Sequence, residues 1–147
     1  MDYGICSIQS TNKIIPAEEH KRKLIIFNPS GKVVRKIKVD GCVIEKTDPG
    51  LRCDYMFEVD ESKTKTNVKV IYLELKGEGV QHAYDQLVAT IERFSAIHRD
   101  CKKECFIVSS KVPRLTTSVQ QLTAMMRNNK KINAKLTVKN NQAEIHI

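Results

Sequence analysis

Two carboxylates and an ammonium in the middle of the chain have types and spacing suited to hydrolysis. In the run Val70-Ile71-Tyr72-Leu73-Glu74-Leu75-Lys76, side chains of a strand alternate. Tyr72, Glu74 and Lys76 therefore share one face, and Ile71, Leu73 and Leu75 the other. Just upstream, Cys53, Tyr55 and Phe57 read as an apolar side, which leaves Asp54 opposite them. If the two segments pair with Asp54 beside Glu74, all three charged groups converge. Phosphodiester hydrolysis uses such a group, because hard oxygen ligands hold Mg²⁺ or Mn²⁺ and a bound water becomes the attacking hydroxide. Asp54, Glu74 and the backbone carbonyl of Leu75 are the expected metal ligands. A nearby cation disfavours charge on Lys76, so its pKa should fall. It could then orient or deprotonate the water, or stabilise charge developing on the phosphate. A Glu-x-Lys tripeptide alone is more often an exposed ion pair of little consequence; the surrounding elements give it weight.

Strands are expected over 52–58 and 68–76. The polar connection between them is short enough to favour antiparallel pairing. Gly77 and Gly79 let the backbone turn, and from Val80 the apolar period changes from two to about 3.6. Ala83, Leu87 and Ile91 fall on one side of a helix that should run to about His98 and carry His82 and Gln86 one turn apart. A further strand follows over 104–109, then a helix over 116–128 with Val119, Leu122 and Met126 on one stripe. At the N-terminus, Pro16 with Ala17, Glu18 and Glu19 suggests a short helix. Residues 24–27 and 32–39 suggest a hairpin around Asn28-Pro29-Ser30-Gly31, and 42–44 a short strand after the Asp40-Gly41 turn. A C-terminal hairpin is expected from 134–138 and 143–147 around Asn140-Asn141. The sum is one α/β (α+β) domain over 1–147, a mixed sheet flanked by helices with a hairpin at each end.

Asp54, then Glu74-Leu75-Lys76 after an antiparallel turn, then a helix bearing Gln86, resembles the core of the PD-(D/E)xK (restriction-endonuclease-like) nuclease superfamily over about a third of the chain. That resemblance implies a restriction-endonuclease-like core, a divalent metal, and DNA more often than RNA as substrate. It would make Asp54 and Glu74 metal ligands, Lys76 the catalytic lysine and Gln86 a catalytic-site residue near the substrate. Some members carry a further acid on an N-terminal helix, for which Glu18 and Glu19 are both candidates. Cys53 stands where the motif's proline would precede the aspartate.

The net charge of +8 is uneven: Lys and Arg outnumber acids 9 to 6 over residues 1–50, fall behind 7 to 9 over 51–100, and lead 9 to 2 over 101–147. An acidic middle and a basic tail suit metal chemistry on a polyanion. Lys111 and Arg114 after a strand, and Arg127, Lys130 and Lys131 at a helix end, are candidate nucleic-acid contacts. Their plainer roles are solubility and complementing a helix dipole. Five cysteines at uneven spacing suggest reduced thiols, and His98, Cys101 and Cys105 are one ligand short of a closed zinc site. No run approaches the roughly 18 apolar residues of a membrane span, so a cytoplasmic protein with no membrane partner is expected. So small a chain would draw specificity from shape, a homodimer or a protein partner. The alternative to a nuclease is a non-catalytic module of the same fold that binds nucleic acid or protein, for instance in a mobile-element or defence system.

Overall fold

Residues 70–73 and 105–108 are apolar on both faces of their strands, and all eight side chains are buried. Strands of that kind need a covering layer on each side. A computed structural model describes residues 3–61, 68–76, 79–110 and 117–147, and they supply two such layers. The described residues form strands β1 (Ser7–Ser10), β2 (Ile14–Glu19), β3 (Arg22–Phe27), β4 (Val34–Lys38), β5 (Tyr55–Asp60), β6 (Val68–Lys76), β7 (Lys102–Ser109), β8 (Lys135–Asn140) and β9 (Gln142–His146). Helix α1 (Val80–Arg93) lies between β6 and β7, and α2 (Thr117–Asn128) between β7 and β8.

The main sheet is six-stranded, in the order β1-β4-β5-β6-β7-β8. It is antiparallel from β1 through β6. It becomes parallel across β6, β7 and β8, whose crossovers are the two helices. Both helices cover one face. Ala83, Leu87 and Ile91 of α1 and Leu122 and Met126 of α2 share a core with Val70, Tyr72, Cys105 and Ile107. The other face is covered by a three-stranded sheet in the order β2-β3-β9. There Ile15, Leu24, Ile26 and Ile145 pack on Phe57, Ile71, Leu73 and Phe106.

This second sheet accounts for most departures from the sequence expectations. Residues 16–19 are strand, not helix, because Ile15 and Ala17 alternate inward. Pro16 is tolerated on an edge strand that needs no outward donor. β3 pairs with β2 rather than with 32–39. The β2–β3 turn is made by His20 and Lys21, both with positive φ (49° and 67°). Neither is a residue type that announces such a turn. Asn28-Pro29-Ser30-Gly31 does turn the chain, but from one sheet to the other. The Asn28 side chain, wholly buried, bonds Asn12 O, Lys32 O and Lys32 N. Residues 42–44 form a turn with a single bridge, Asp40 to Ile44. The C-terminal hairpin does not form either. Asn141 reverses the chain at φ 63°, yet β8 joins β7 in the main sheet while β9 lies parallel to β3 in the small one.

Cys6 and Cys42 are joined in a disulfide, with Cα atoms 5.6 Å apart. This corrects the expectation of reduced thiols for that pair. Cys53, Cys101 and Cys105 are free. His98 is buried with both ring nitrogens engaged, Nδ1 with Tyr72 Oη at 2.9 Å and Nε2 with Glu58 Oε2 at 2.6 Å. Tyr3 Oη donates to the same carboxylate at 2.8 Å. Burial works against the charge on Glu58, but hydrogen bonds from His98 and Tyr3 outweigh it and hold the carboxyl below its usual range. No helix among the described residues is long and apolar enough to cross a membrane.

The disulfide joins residues 36 apart in sequence, so opening it frees a long loop in the unfolded chain. Reduction should lower stability by about 2–4 kcal/mol. Urea melts with and without dithiothreitol test this, and coincident curves would show that the bond constrains nothing.

Candidate functional site

β5 and β6 pair with Tyr55 opposite Leu73 and Met56 opposite Tyr72. One further step along that register sets Asp54 opposite Glu74. The ladder does not continue there in the ordinary way. Asp54 N donates to Leu73 O at 3.1 Å, and the Leu75 N–H is accepted by the Asp54 carboxylate, Oδ2, at 2.8 Å. A side chain thus takes the place of a backbone partner at the end of the pairing. The bend before β5 is held from two sides. Val39 N donates to Asp54 O at 3.0 Å. From α1, Thr90 Oγ1 accepts the Cys53 N–H at 2.7 Å and donates to Gln86 O at 2.8 Å. Gln86 Nε2 donates to Arg52 O at 3.1 Å. Because extended alternation begins only at Tyr55, Cys53 does not share a face with Tyr55 and Phe57 as expected. It lies in the helix-side core, while they line the opposite side.

Both carboxylates are nearly out of solvent, Asp54 at 8% exposure and Glu74 at 3%. The fully buried Cys53 thiol senses the two together. Burial pushes its pKa well up, and the charges of Glu74 and Asp54 add to the effect. Asp54 itself is raised above the usual carboxylate range, first by burial and further by Glu19 and Asp40. The Leu75 N–H and the Lys38 ammonium oppose that rise in part. Lys38 Nζ lies 2.7 Å from Glu19 Oε1 and 4.7 Å from the centre of the Tyr55 ring. Burial works against its charge, yet Glu19, Tyr55 and Asp54 together hold its pKa above the ordinary lysine value.

Asp54, Glu74, Leu75 and Gln86 therefore gather around one end of β5–β6, although Leu75 buries its side chain in the core on the small-sheet side. Lys76 ends β6, with its backbone opposite Ser109 of β7. Its side chain, together with Lys111 and Arg114, lies outside the described residues. Gln86 Oε1 is buried with no hydrogen-bond partner among the described residues. His82 and Glu18 are exposed. Of the two N-terminal acids it is Glu19 whose charge reaches Asp54, from a strand rather than a helix. Arg127, Lys130 and Lys131 are not brought to this site. They line a cleft with Lys69, at the start of β6, and Lys69 is five residues before Glu74, about 17 Å along a strand.

Sequence reasoning missed Thr90, Lys38 and, as a definite choice, Glu19. No motif marks any of them, since each reaches the site through a packing contact between distant elements. Among the described residues no group of three or more His, Cys, Asp and Glu side chains is poised to hold a metal ion. Two buried carboxylates with a backbone carbonyl still suit Mg²⁺, which retains several waters and commonly takes only one or two carboxylates from protein. Two carboxylates deprived of water also favour a cation beside them.

No family model, curated protein or solved structure matches the chain.

Asp54 carries two separable loads, an acceptor for the Leu75 N–H and a buried charge. Its folded pKa is raised, so the folded state is penalised as pH climbs through the ordinary aspartate value, and the penalty is complete above the raised one. Asp54→Asn should keep the acceptor and shed the charge, giving stability at pH 7 equal to or above the parent's in the absence of metal. Asp54→Ala should fall about 1–3 kcal/mol below Asp54→Asn, because an amide donor is left unsatisfied. Thermal melts in EDTA from pH 4 to 8 read both effects. If Asn and Ala were equally stable, the Leu75 bond would have no energetic role.

Proposed function

We propose that this chain is a nuclease dependent on Mg²⁺ or Mn²⁺, with a restriction-endonuclease-like core, that hydrolyses phosphodiester bonds of nucleic acid, DNA in preference to RNA. The observation that carries the reading is that the β5–β6 register, carried one step on, sets buried Asp54 opposite buried Glu74, with the charge of each acting on Cys53. It is supported by the strand order around it, in which an antiparallel β4-β5-β6 unit passes through α1 to a parallel β7. In this reading Asp54, Glu74 and the Leu75 carbonyl hold the metal. The metal supplies charge stabilisation at the phosphate and acidifies water. Lys76 orients the attacking water or takes its proton as the oxygen bonds phosphorus and the bond to the leaving alcohol breaks. Gln86, fixed by its bond to Arg52 O, keeps an acceptor close to the bend that carries Asp54. The acid limb of such an activity should track the raised pKa of Asp54, since a protonated carboxyl is a poor metal ligand.

Two observations favour a second reading, a non-catalytic nucleic-acid-binding module: Asp54 Oδ2 is already committed to the Leu75 N–H, and a cluster of eight basic residues lies away from Asp54 and Glu74.

The deciding experiment incubates plasmid, linear duplex, single-stranded DNA and RNA with the purified chain in Mg²⁺, Mn²⁺ or EDTA, beside Glu74→Gln and Lys76→Ala. Cleavage should require metal, disappear in Glu74→Gln and fall about 10²–10⁴-fold in Lys76→Ala. Cutting that survives in Glu74→Gln refutes the site. A folded parent that cuts nothing moves the assignment to the binding module. A metal readout independent of turnover accompanies it: Mn²⁺ should raise the melting temperature of the parent and leave that of Glu74→Gln unmoved.

A further inference from the structure

The parallel strands β6, β7 and β8 begin at one end of the sheet, and an open cleft of about 880 Å³ lies there. Three structural units wall it. The end of α2 and the turn after it bring Arg127, Lys130 and Lys131. The connection from α1 into β7 brings Arg99, Lys102 and Lys103, and the starts of β6 and β8 bring Lys69 and Lys135. Against these eight cations the lining holds two acids, Asp100 and Glu104, a net of +6 out of the chain's +8. Glu104 is taken up by Lys69 at 2.6 Å. Among the described residues, Arg99, Lys102, Arg127, Lys130, Lys131 and Lys135 form no salt bridge.

Complementing the ends of two helices asks for one or two cations each, and the effect fades within a turn. Eight cations around a concavity repel one another; mobile anions screen that repulsion in part, and a polyanion offsets it in full, drawn by the field that the concave wall focuses. The lining contains no Phe, Tyr or Trp, so it offers no platform for stacking unpaired bases. Lysines and arginines with Thr123 and Asn133 beside them are the groups that contact phosphate and sugar. Duplex DNA carries one charge per about 1.7 Å of axis, a denser target than a single strand.

We propose that this cleft is a metal-independent docking site for the sugar–phosphate backbone of duplex nucleic acid, separate from the Asp54/Glu74 site. It rests on the nucleic-acid reading above but not on catalysis. Binding there is indifferent to base sequence and steeply dependent on salt. The cleft and the carboxylates lie about 17 Å apart along β6, so a duplex that engages both is anchored about five base pairs from the position facing Glu74, at 3.4 Å per step.

The test is fluorescence anisotropy of a labelled 20-base-pair duplex in EDTA, between 50 and 200 mM salt. Four chains are compared: the parent, a cleft variant (Arg127→Gln, Lys130→Gln, Lys131→Gln), a charge-matched control away from the cleft (Lys13→Gln, Lys46→Gln, Lys139→Gln) and Glu74→Gln. The cleft variant should bind at least about 10-fold more weakly, with its log–log salt slope shallower by about three units. The control and Glu74→Gln should match the parent. Equal losses in cleft variant and control would reduce the effect to net charge and overturn the proposal. So would binding of single strands as tight as duplex, or displacement of the duplex by polyglutamate at equal charge. Because these titrations contain no metal, failure of the nuclease reading leaves the outcome unaffected, and a Glu74→Gln chain that binds but does not cut separates the two.

Discussion

Burial of β6 and β7 on both faces governs the rest of the architecture. An apolar strand with no solvent-facing side is stable only inside a three-layer arrangement. The chain builds one layer from α1 and α2 and the other from β2, β3 and β9. That constraint also explains the unusual route of the C-terminus. β8 completes the main sheet beside β7, and β9 then crosses to the small sheet, so a tight reversal at Asn141 links two layers instead of two arms of one hairpin. Glu74, 3% exposed, sits inside this framework.

Parallel order sets the polarity of the molecule. Lys76, Ser109 and Asn140 end their strands side by side, and Lys69 pairs with Lys102 at the other end. Glu74 and the basic cleft are therefore held towards opposite ends of the same strands. The +8 charge is unevenly distributed, with eight Lys and Arg side chains against two acids around the cleft at the Lys69 end. The 9-to-2 excess of Lys and Arg in the last 47 residues is the trace of this polarity in one dimension.

Asp54 carries a structural hydrogen bond and a buried charge in one side chain. Its carboxylate closes the β5–β6 ladder by accepting the Leu75 N–H. The same bend is tied to α1 through Thr90 and Gln86. An aspartate so held is fixed through its carboxylate by the strand and through the neighbouring backbone by the helix. Its elevated pKa records the cost of burying it beside Glu19 and Asp40.

The sequence alone determined the features that depend on neighbouring residues. Alternation marked β5 and β6 and their antiparallel pairing, the period of 3.6 marked α1 and α2, and the strand register then set Asp54 opposite Glu74. Gly41 and Gly31 turn the chain where they were expected to. Only tertiary structure decided which strands become partners. The short strands at 14–27 and 142–146 could pair in several ways with equal local merit, and the uncovered face of β6 and β7 selected one of them. The same holds for Glu19 over Glu18, for Lys38, for Thr90, for the Cys6–Cys42 bond and for the gathering of Arg99, Lys102 and Lys135 with Arg127. Each depends on contacts between residues far apart in the chain, and such contacts leave no period or motif to read.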